Sequence, residues 1–258
     1  MLNFFKKKKP VEGKEKIVIK KDYSDVAPIS DYFKSETGVT FEKQTTILKN
    51  KLTTFCRQRD INSFAELLDM VKSDKVLKQS LIDVLTTNET FFYREFRQIE
   101  QLVSLVKNMN GNVDILCAPS ATGEEPYSIA IALIEAGIAS DKFKIIGIDI
   151  NEDAVKRAEE AVYRERNIRN LSEDILNKYF IKDEKYYILK STIKSKVHYK
   201  ITNLFDTSFK SLGKFDFIFS RNMLIYFDND TRRKAKEILE SMRKNEAQEI
   251  FFGHADLF

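Results

Sequence analysis

VDILCAPSATGEEPYSIAIALIEAG, residues 113–137, decides the fold. Val113 to Ala118 is a short, nearly continuous apolar run, the pattern of a strand buried on both faces. Pro119, Ser120, Thr122 and Gly123 make a turn. Glu124 and Glu125 ahead of Pro126 suit a first helical turn, Tyr127 to Ala136 continues it, and Gly137 ends it. The pattern then repeats. Lys144 to Asp149 (KIIGID) reads as the next buried strand, and Asn151 or Asp153 opens the helical stretch AVKRAEEAVY. Strand, helix, strand, helix at this spacing predicts an α/β domain with a parallel sheet and helical crossovers.

Downstream, residues 163–201 interrupt the rhythm. Ser172 to Phe180 reads as a short helix, and Tyr186–Leu189 with Val197–Ile201 reads as an antiparallel pair, a β insertion of about 181–201. Phe215–Phe219 is a buried strand, Asp230–Lys244 a charged helix and Glu249–Gly253 a last strand. Upstream, 28–86 is helical: Pro28 or Ser30 starts a helix that Gly38 ends. Phe41, Thr45, Leu48, Leu52 and Phe55 form one apolar stripe. Asn62 or Ser63 caps a helix, and Ser73 caps another through Leu85. Residues 87–110, with Thr87, Asn88 and Thr90 as caps and Phe91, Phe92, Phe96, Ile99 and Leu102 on one face, predict a long linker helix into the domain at 111–258. Residues 1–27 read as a flexible basic tail. The run Lys6–Lys9 is either a solvated segment or an attraction to an anionic membrane or acidic partner, and IVIK at 17–20 is a strand without an evident mate.

Composition narrows the function classes. Over 258 residues, 43 Lys+Arg against 39 Asp+Glu leave +4, a balance that does not demand a polyanion such as nucleic acid. Two cysteines, Cys56 and Cys117, exclude a disulfide framework, and with two histidines no metal site is expected. No apolar run reaches the roughly 18 residues of a membrane span, and the N-terminus has the wrong charge order for a signal peptide. The expectation is a cytoplasmic monomer without membrane insertion.

The turn at Gly123 lies where α/β sheets bind nucleotide-like ligands, at the carboxyl ends of their strands. It has one glycine rather than G-x-G-x-x-G, and two carboxylates at the helix N-terminus, where pyrophosphate would be repelled. Either those carboxylates complement the helix dipole or they favour a cationic ligand such as S-adenosylmethionine. Asp149, ending the second strand, either accepts ribose hydroxyls or caps the next helix; Asn151 and Asp153 are competing caps.

Six segments occur in order: TTNETFFYRE at 86–95, SATGEEPYSIAIAL at 120–133, GIDINEDAVKRAEEAVY at 147–163, NLFD at 203–206, FDFIFSRNMLIYFD at 215–228 and FFGHADLF at 251–258. Together they resemble the chemotaxis-receptor protein-glutamate O-methyltransferases, the CheR family, over about residues 28–258. The resemblance implies a small helical N-terminal domain, a linker helix and a Rossmann-like S-adenosylmethionine-dependent methyltransferase domain with a small antiparallel insertion. It implies S-adenosylmethionine as methyl donor, S-adenosylhomocysteine as product, and glutamates on the cytoplasmic helices of chemotaxis receptors as acceptors. Carried over position by position, it implies cofactor contacts from Asn88, Thr90, Arg94, Glu124, Asp149, Asn203, Leu204, Arg221 and Asn222, with Arg94 and Tyr226 nearest the methyl group.

The chain departs from the family pattern at Pro119, at Tyr93, in ending just after GHADLF without the usual final antiparallel strand, and in a short, glycine-free insertion. Relatives that grip a receptor's C-terminal pentapeptide tend to carry a glycine-containing loop there, so independence from such a tether is expected. Competing readings are a methyltransferase acting on RNA or a small molecule, and a non-catalytic S-adenosylmethionine sensor.

Overall fold

The computed structural model describes residues 21–256; Lys6–Lys9, the IVIK stretch and the last two residues lie outside them. In chain order the elements are α1 (Ala27–Thr37), α2 (Thr45–Arg57), α3 (Phe64–Ser73), α4 (Lys75–Leu85), α5 (Phe96–Lys107), β1 (Val113–Cys117), α6 (Glu124–Glu135), β2 (Phe143–Asp149), α7 (Glu152–Glu160), β3 (Val162–Arg164), α8 (Glu165–Ile168), α9 (Glu173–Tyr179), β4 (Phe180–Asp183), β5 (Tyr186–Leu189), α10 (Ser191–Lys194), β6 (Val197–Ile201), α11 (Thr207–Lys210), β7 (Phe217–Ser220), α12 (Asn229–Ser241) and β8 (Ile250–Phe252). A 3-10 turn covers Leu224–Tyr226 and another His254–Asp256.

The first four helices close on their own core of Ile29, Phe33, Leu48, Leu52, Phe55, Leu67 and Leu81. Pro28 sits in the first turn of α1, and Gly38 ends it in the left-handed conformation, its N–H donating to the Lys34 carbonyl. Ser63 caps α3 by accepting from the Glu66 N–H at 3.0 Å, while Glu66 accepts from the Asn62 N–H at 2.7 Å. The cap of α4 is Asp74 rather than Ser73, which is the last residue of α3; the Asp74 carboxylate accepts from Val76 and Leu77. Asp22 and Tyr23, expected within a flexible tail, are tied to the helical domain: Asp22 N–H donates to the Asn62 carbonyl at 2.8 Å and the Tyr23 hydroxyl to the Ile61 carbonyl at 2.6 Å.

The main sheet runs β6-β2-β1-β7-β8, parallel throughout. Its inner strands β1, β2 and β7 are near-continuous apolar runs because helices cover both faces. A second sheet, β3-β5-β4, is antiparallel. Two sequence expectations are corrected here. Val197–Ile201 does not pair with Tyr186–Leu189; it joins the main sheet beside β2, Ile145 opposite Val197, and the antiparallel insertion therefore spans 162–189 rather than 181–201. Alternating burial reads the same for a hairpin strand and for a sheet edge, so the pattern alone does not choose. The linker helix is also shorter than 87–110. Residues 87–95 are not helical, and Tyr93 and Glu95 are left-handed (φ 56° and 49°). Tertiary contacts override the helical period: Phe92 is fully buried edge-on to Tyr163 and Phe180. Its N–H donates to the Asn167 carbonyl, and that of Tyr93 to the Ser128 hydroxyl.

Candidate active site

The carboxyl ends of β1, β2 and β7 open on a cleft whose opposite wall comes from the N-terminal helices. One lobe, about 880 Å³, is lined among others by Phe41, Leu85, Asn88, Asp149, Leu204 and Tyr226. A second, about 990 Å³, is lined among others by Asn88, Thr90, Arg94, Glu125, Arg221 and Tyr226. The lobes share Asn88, Asn222 and Tyr226.

Asp149 ends β2 with its carboxylate buried. One oxygen accepts from Ala121 N–H and the other from Asn151 N–H, both at 2.9 Å. Burial pushes its pKa up to about 6, against the pull of those N–H groups. The helix cap of α7 is Asn151, which accepts from Ala154 N–H at 2.7 Å, so Asp149 is not needed for that task. Asn151 in turn donates to the Asp83 carbonyl at 3.0 Å and the Thr86 hydroxyl at 2.8 Å, while Gln79 donates to the Ile150 carbonyl at 2.9 Å. The N-terminal helices thereby brace the loop that carries Asp149.

Gly123 makes the turn before α6 possible. It is left-handed (φ +91°), and a Cβ there would lie 2.6 Å from the Tyr199 hydroxyl and 2.9 Å from Ala158 Cβ. The two carboxylates that follow it part company. Glu124 is fully buried away from the cleft, its oxygens accepting from Thr122 Oγ1 and Asn167 Nδ2 at 2.7 Å each, and neither lobe is lined by it. Glu125 lines the second lobe. One of its oxygens pairs with Arg221 Nε, while the other, Oε1, is buried without a hydrogen-bond partner. Burial raises the Glu125 pKa, and the Arg221 guanidinium opposes this. Glu125 is thus a cleft carboxylate that the sequence carry-over assigned to its neighbour.

Arg221 is buried, and its Nη1 donates to the Arg94 carbonyl at 2.8 Å. Arg94 donates to the Glu89 carbonyl at 3.2 Å, its guanidinium 5.6 Å from the Phe91 ring centroid. Thr90 lines the second lobe and Leu204 the first. Asn203 lines the first lobe too, but its amide is engaged, donating to the Glu36 carbonyl at 2.7 Å and accepting from Phe205 N–H at 3.0 Å. Asn222 is left-handed (φ 59°). Of the ten predicted residues, Glu124 alone lines neither lobe. The N-terminal wall, with Thr37, Val39, Phe41 and Gln44, was missed. No sequence periodicity announces it, because it forms only when two separate cores pack together.

The donor set fits S-adenosylmethionine. Apolar side chains line one lobe for a flat base, Asp149 stands at a strand end for a ribose, and an unpartnered buried carboxylate oxygen on Glu125 suits a cationic group. No group of His, Cys, Asp and Glu suited to a metal occurs among the described residues. A parallel sheet bearing this cleft defines the chain as a Rossmann-like S-adenosylmethionine-dependent methyltransferase.

Comparison with known proteins gives the family. Residues 24–86 match the CheR methyltransferase all-alpha domain, and residues 88–258 match the CheR methyltransferase SAM binding domain. A chemotaxis protein methyltransferase of Campylobacter jejuni is 34% identical over 222 residues, 86% of this chain and 84% of that protein. Chemotaxis protein methyltransferase 2 of Vibrio cholerae is 32% identical over 90% of this chain and 85% of its own length. The Escherichia coli chemotaxis protein methyltransferase is 28% identical over 89% and 83%. The chain belongs to the CheR methyltransferase family.

Proposed function

We propose that this protein transfers the methyl group of S-adenosylmethionine to glutamate side chains on the cytoplasmic helices of chemotaxis receptors, forming glutamyl methyl esters. The observation that carries the reading is the charge layout of the cleft: carboxylates at Asp149 and Glu125, with Arg94 and Tyr226 both lining the second lobe. Asp149 holds the ribose, Glu125 takes the cationic end of the donor in place of Glu124, and Asn88, Thr90, Leu204, Arg221 and Asn222 complete the pocket. When bound, S-adenosylmethionine supplies an electrophilic methyl carbon on a sulfonium. The acceptor glutamate is ionised at neutral pH, so no strong general base is required of the chain. Arg94 would hold the acceptor carboxylate through parallel N–H bonds, and Tyr226, which lines both lobes, would donate a hydrogen bond at the reacting centre. The apolar walls contributed by both domains exclude water, so that alignment supplies much of the rate. No helix among the described residues is long and apolar enough to cross a membrane.

The test is transfer of labelled methyl to receptor-containing membranes. Base-labile label is expected with the wild type and is lost with Arg94→Ala and Asp149→Ala. Alkali-stable label would redirect the reading to N- or C-methylation, and donor binding without any transfer would favour a sensor. We also propose independence from a receptor-tail pentapeptide, because the turn between β4 and β5 passes through Glu184 and Lys185 without a glycine. Tight calorimetric binding of an isolated tail peptide would overturn that part alone.

A further inference from the structure

Asp256 is fully buried, lines neither lobe of the cleft and has no part in the chemistry above. Its carboxylate accepts from the Asn222 N–H and, at 3.3 Å, from the Ile225 N–H. Those two donors bracket the turn that brings Asn222 and Tyr226 to the cleft. Asn222 holds a left-handed backbone (φ 59°), a conformation that asparagine adopts more readily than most residues and that the bond to the Asp256 carboxylate pins at this turn. The segment around Asp256 is tied to the other side of the cleft as well. Phe252 accepts through its carbonyl from Gln98 Nε2 at 2.7 Å, and His254 N–H donates to the Glu95 carboxylate at 3.3 Å, next to Arg94. Space beside the carboxylate is closed: a Cβ on Gly253 would lie 3.0 Å from both Asn222 N and Asp256 Oδ2.

We propose that Asp256 is the positioning residue of this methyltransferase: its buried carboxylate fixes the left-handed turn at Asn222 and the 3-10 turn at 224–226, and so aims Asn222 and Tyr226 at the reacting centre. The inference rests on the proposed function for what those two side chains do. Loss of a charged acceptor leaves the turn free to relax, and misalignment of about 1 Å at a reacting centre costs on the order of a hundredfold in rate.

The test uses the full chain as wild type, Asp256→Asn and Gly253→Ala. The readouts are kcat and donor KM for methyl transfer, and the amide resonance of Asn222 in asparagine-15N-labelled protein. Asp256→Asn is expected to lower kcat about ten- to hundredfold with a smaller change in KM, and to move the Asn222 amide proton upfield as its charge-assisted hydrogen bond is lost. Gly253→Ala is expected to act in the same direction and less strongly, since it shifts the carboxylate without removing it. A kcat within twofold of wild type in Asp256→Asn, or an unmoved Asn222 amide, overturns the proposal. If Asp256→Asn does not fold, Gly253→Ala decides by the same criteria. A wild type that transfers no methyl to receptors sinks the proposed function, while the Asn222 resonance still tests whether Asp256 holds the turn.

Discussion

Asp149 concentrates the chemistry of this site in one side chain. Its carboxyl is held in the fold by two backbone N–H groups and pushed up to about 6 by burial. At pH 7.5 it is an anion that can accept two hydroxyls, and below about 6 it takes a proton and loses that capacity. Donor affinity is therefore expected to weaken as pH falls from 7.5 to 5, by at most about tenfold per unit once below the pKa. Asp149→Asn should bind about ten- to hundredfold more weakly at pH 7.5, the worth of hydrogen bonds to a charged acceptor, and lose that pH slope. Calorimetric titration with S-adenosylhomocysteine across this range checks both, and a slope retained in Asp149→Asn would assign the titration elsewhere. Asp149 was legible in the sequence because it ends a strand and because Asn151 was available to cap α7. The choice between Glu124 and Glu125 was not legible. Successive residues at a helix start point about 100° apart, and only the packing of Asn167 against one and Arg221 against the other says which faces the cleft.

At the scale of elements, the parallel sheet was readable because β1, β2 and β7 are apolar runs with helical stretches between them, a pattern few other folds produce. The same logic misplaced β6. Its alternation of buried Val197 with exposed His198 and Lys200 satisfies an antiparallel pair as well as the sheet edge it occupies. The edge position has a consequence for the site: it lays the Tyr199 ring over Gly147 of β2 and Gly123 of the cofactor turn, so that a Cβ on Gly147 would lie 2.7 Å from that ring and one on Gly123 2.6 Å from its hydroxyl. Gly123→Ala would have to hold φ +91° with a side chain in that space. A cost of about 1–3 kcal/mol is expected from backbone strain and overpacking together, measured as a lower urea midpoint with unchanged slope. A loss under about 0.5 kcal/mol would mean that β6 yields freely and does not hold the turn. The stretch 87–95 failed for the opposite reason. Its apolar residues do recur at helical spacing, but Phe92 spends its burial on Tyr163 and Phe180 and not on a helix face.

At the scale of the molecule, two cores meet across the cofactor cleft, and the seam joins polar contacts to the apolar ones of Val39 and Ile150. Gln79 reaches Ile150 and Asn151 reaches Asp83. Thr40 N–H donates to the Tyr226 carbonyl at 2.9 Å, and Lys34 pairs with Asp228 at 2.7 Å. Such a seam contributes less than an apolar core of equal area, because each bond replaces one with water. Relative motion of the two halves is therefore the low-cost fluctuation of this fold. A ligand seated between Phe41 and Leu85 on one side and Asp149 and Leu204 on the other contacts both halves, so it binds the closed arrangement and not the open one. Mass action then stabilises the closed state by about 2.7 kcal/mol at a hundredfold excess over Kd. Hydrogen exchange with and without saturating S-adenosylhomocysteine should show slowing at 37–44 and 83–88 in the helical half as well as at 118–123 and 149–152 in the sheet half. Slowing confined to the sheet half would mean that the N-terminal wall merely borders the cleft, and that the ligand's hold on the protein comes from one domain.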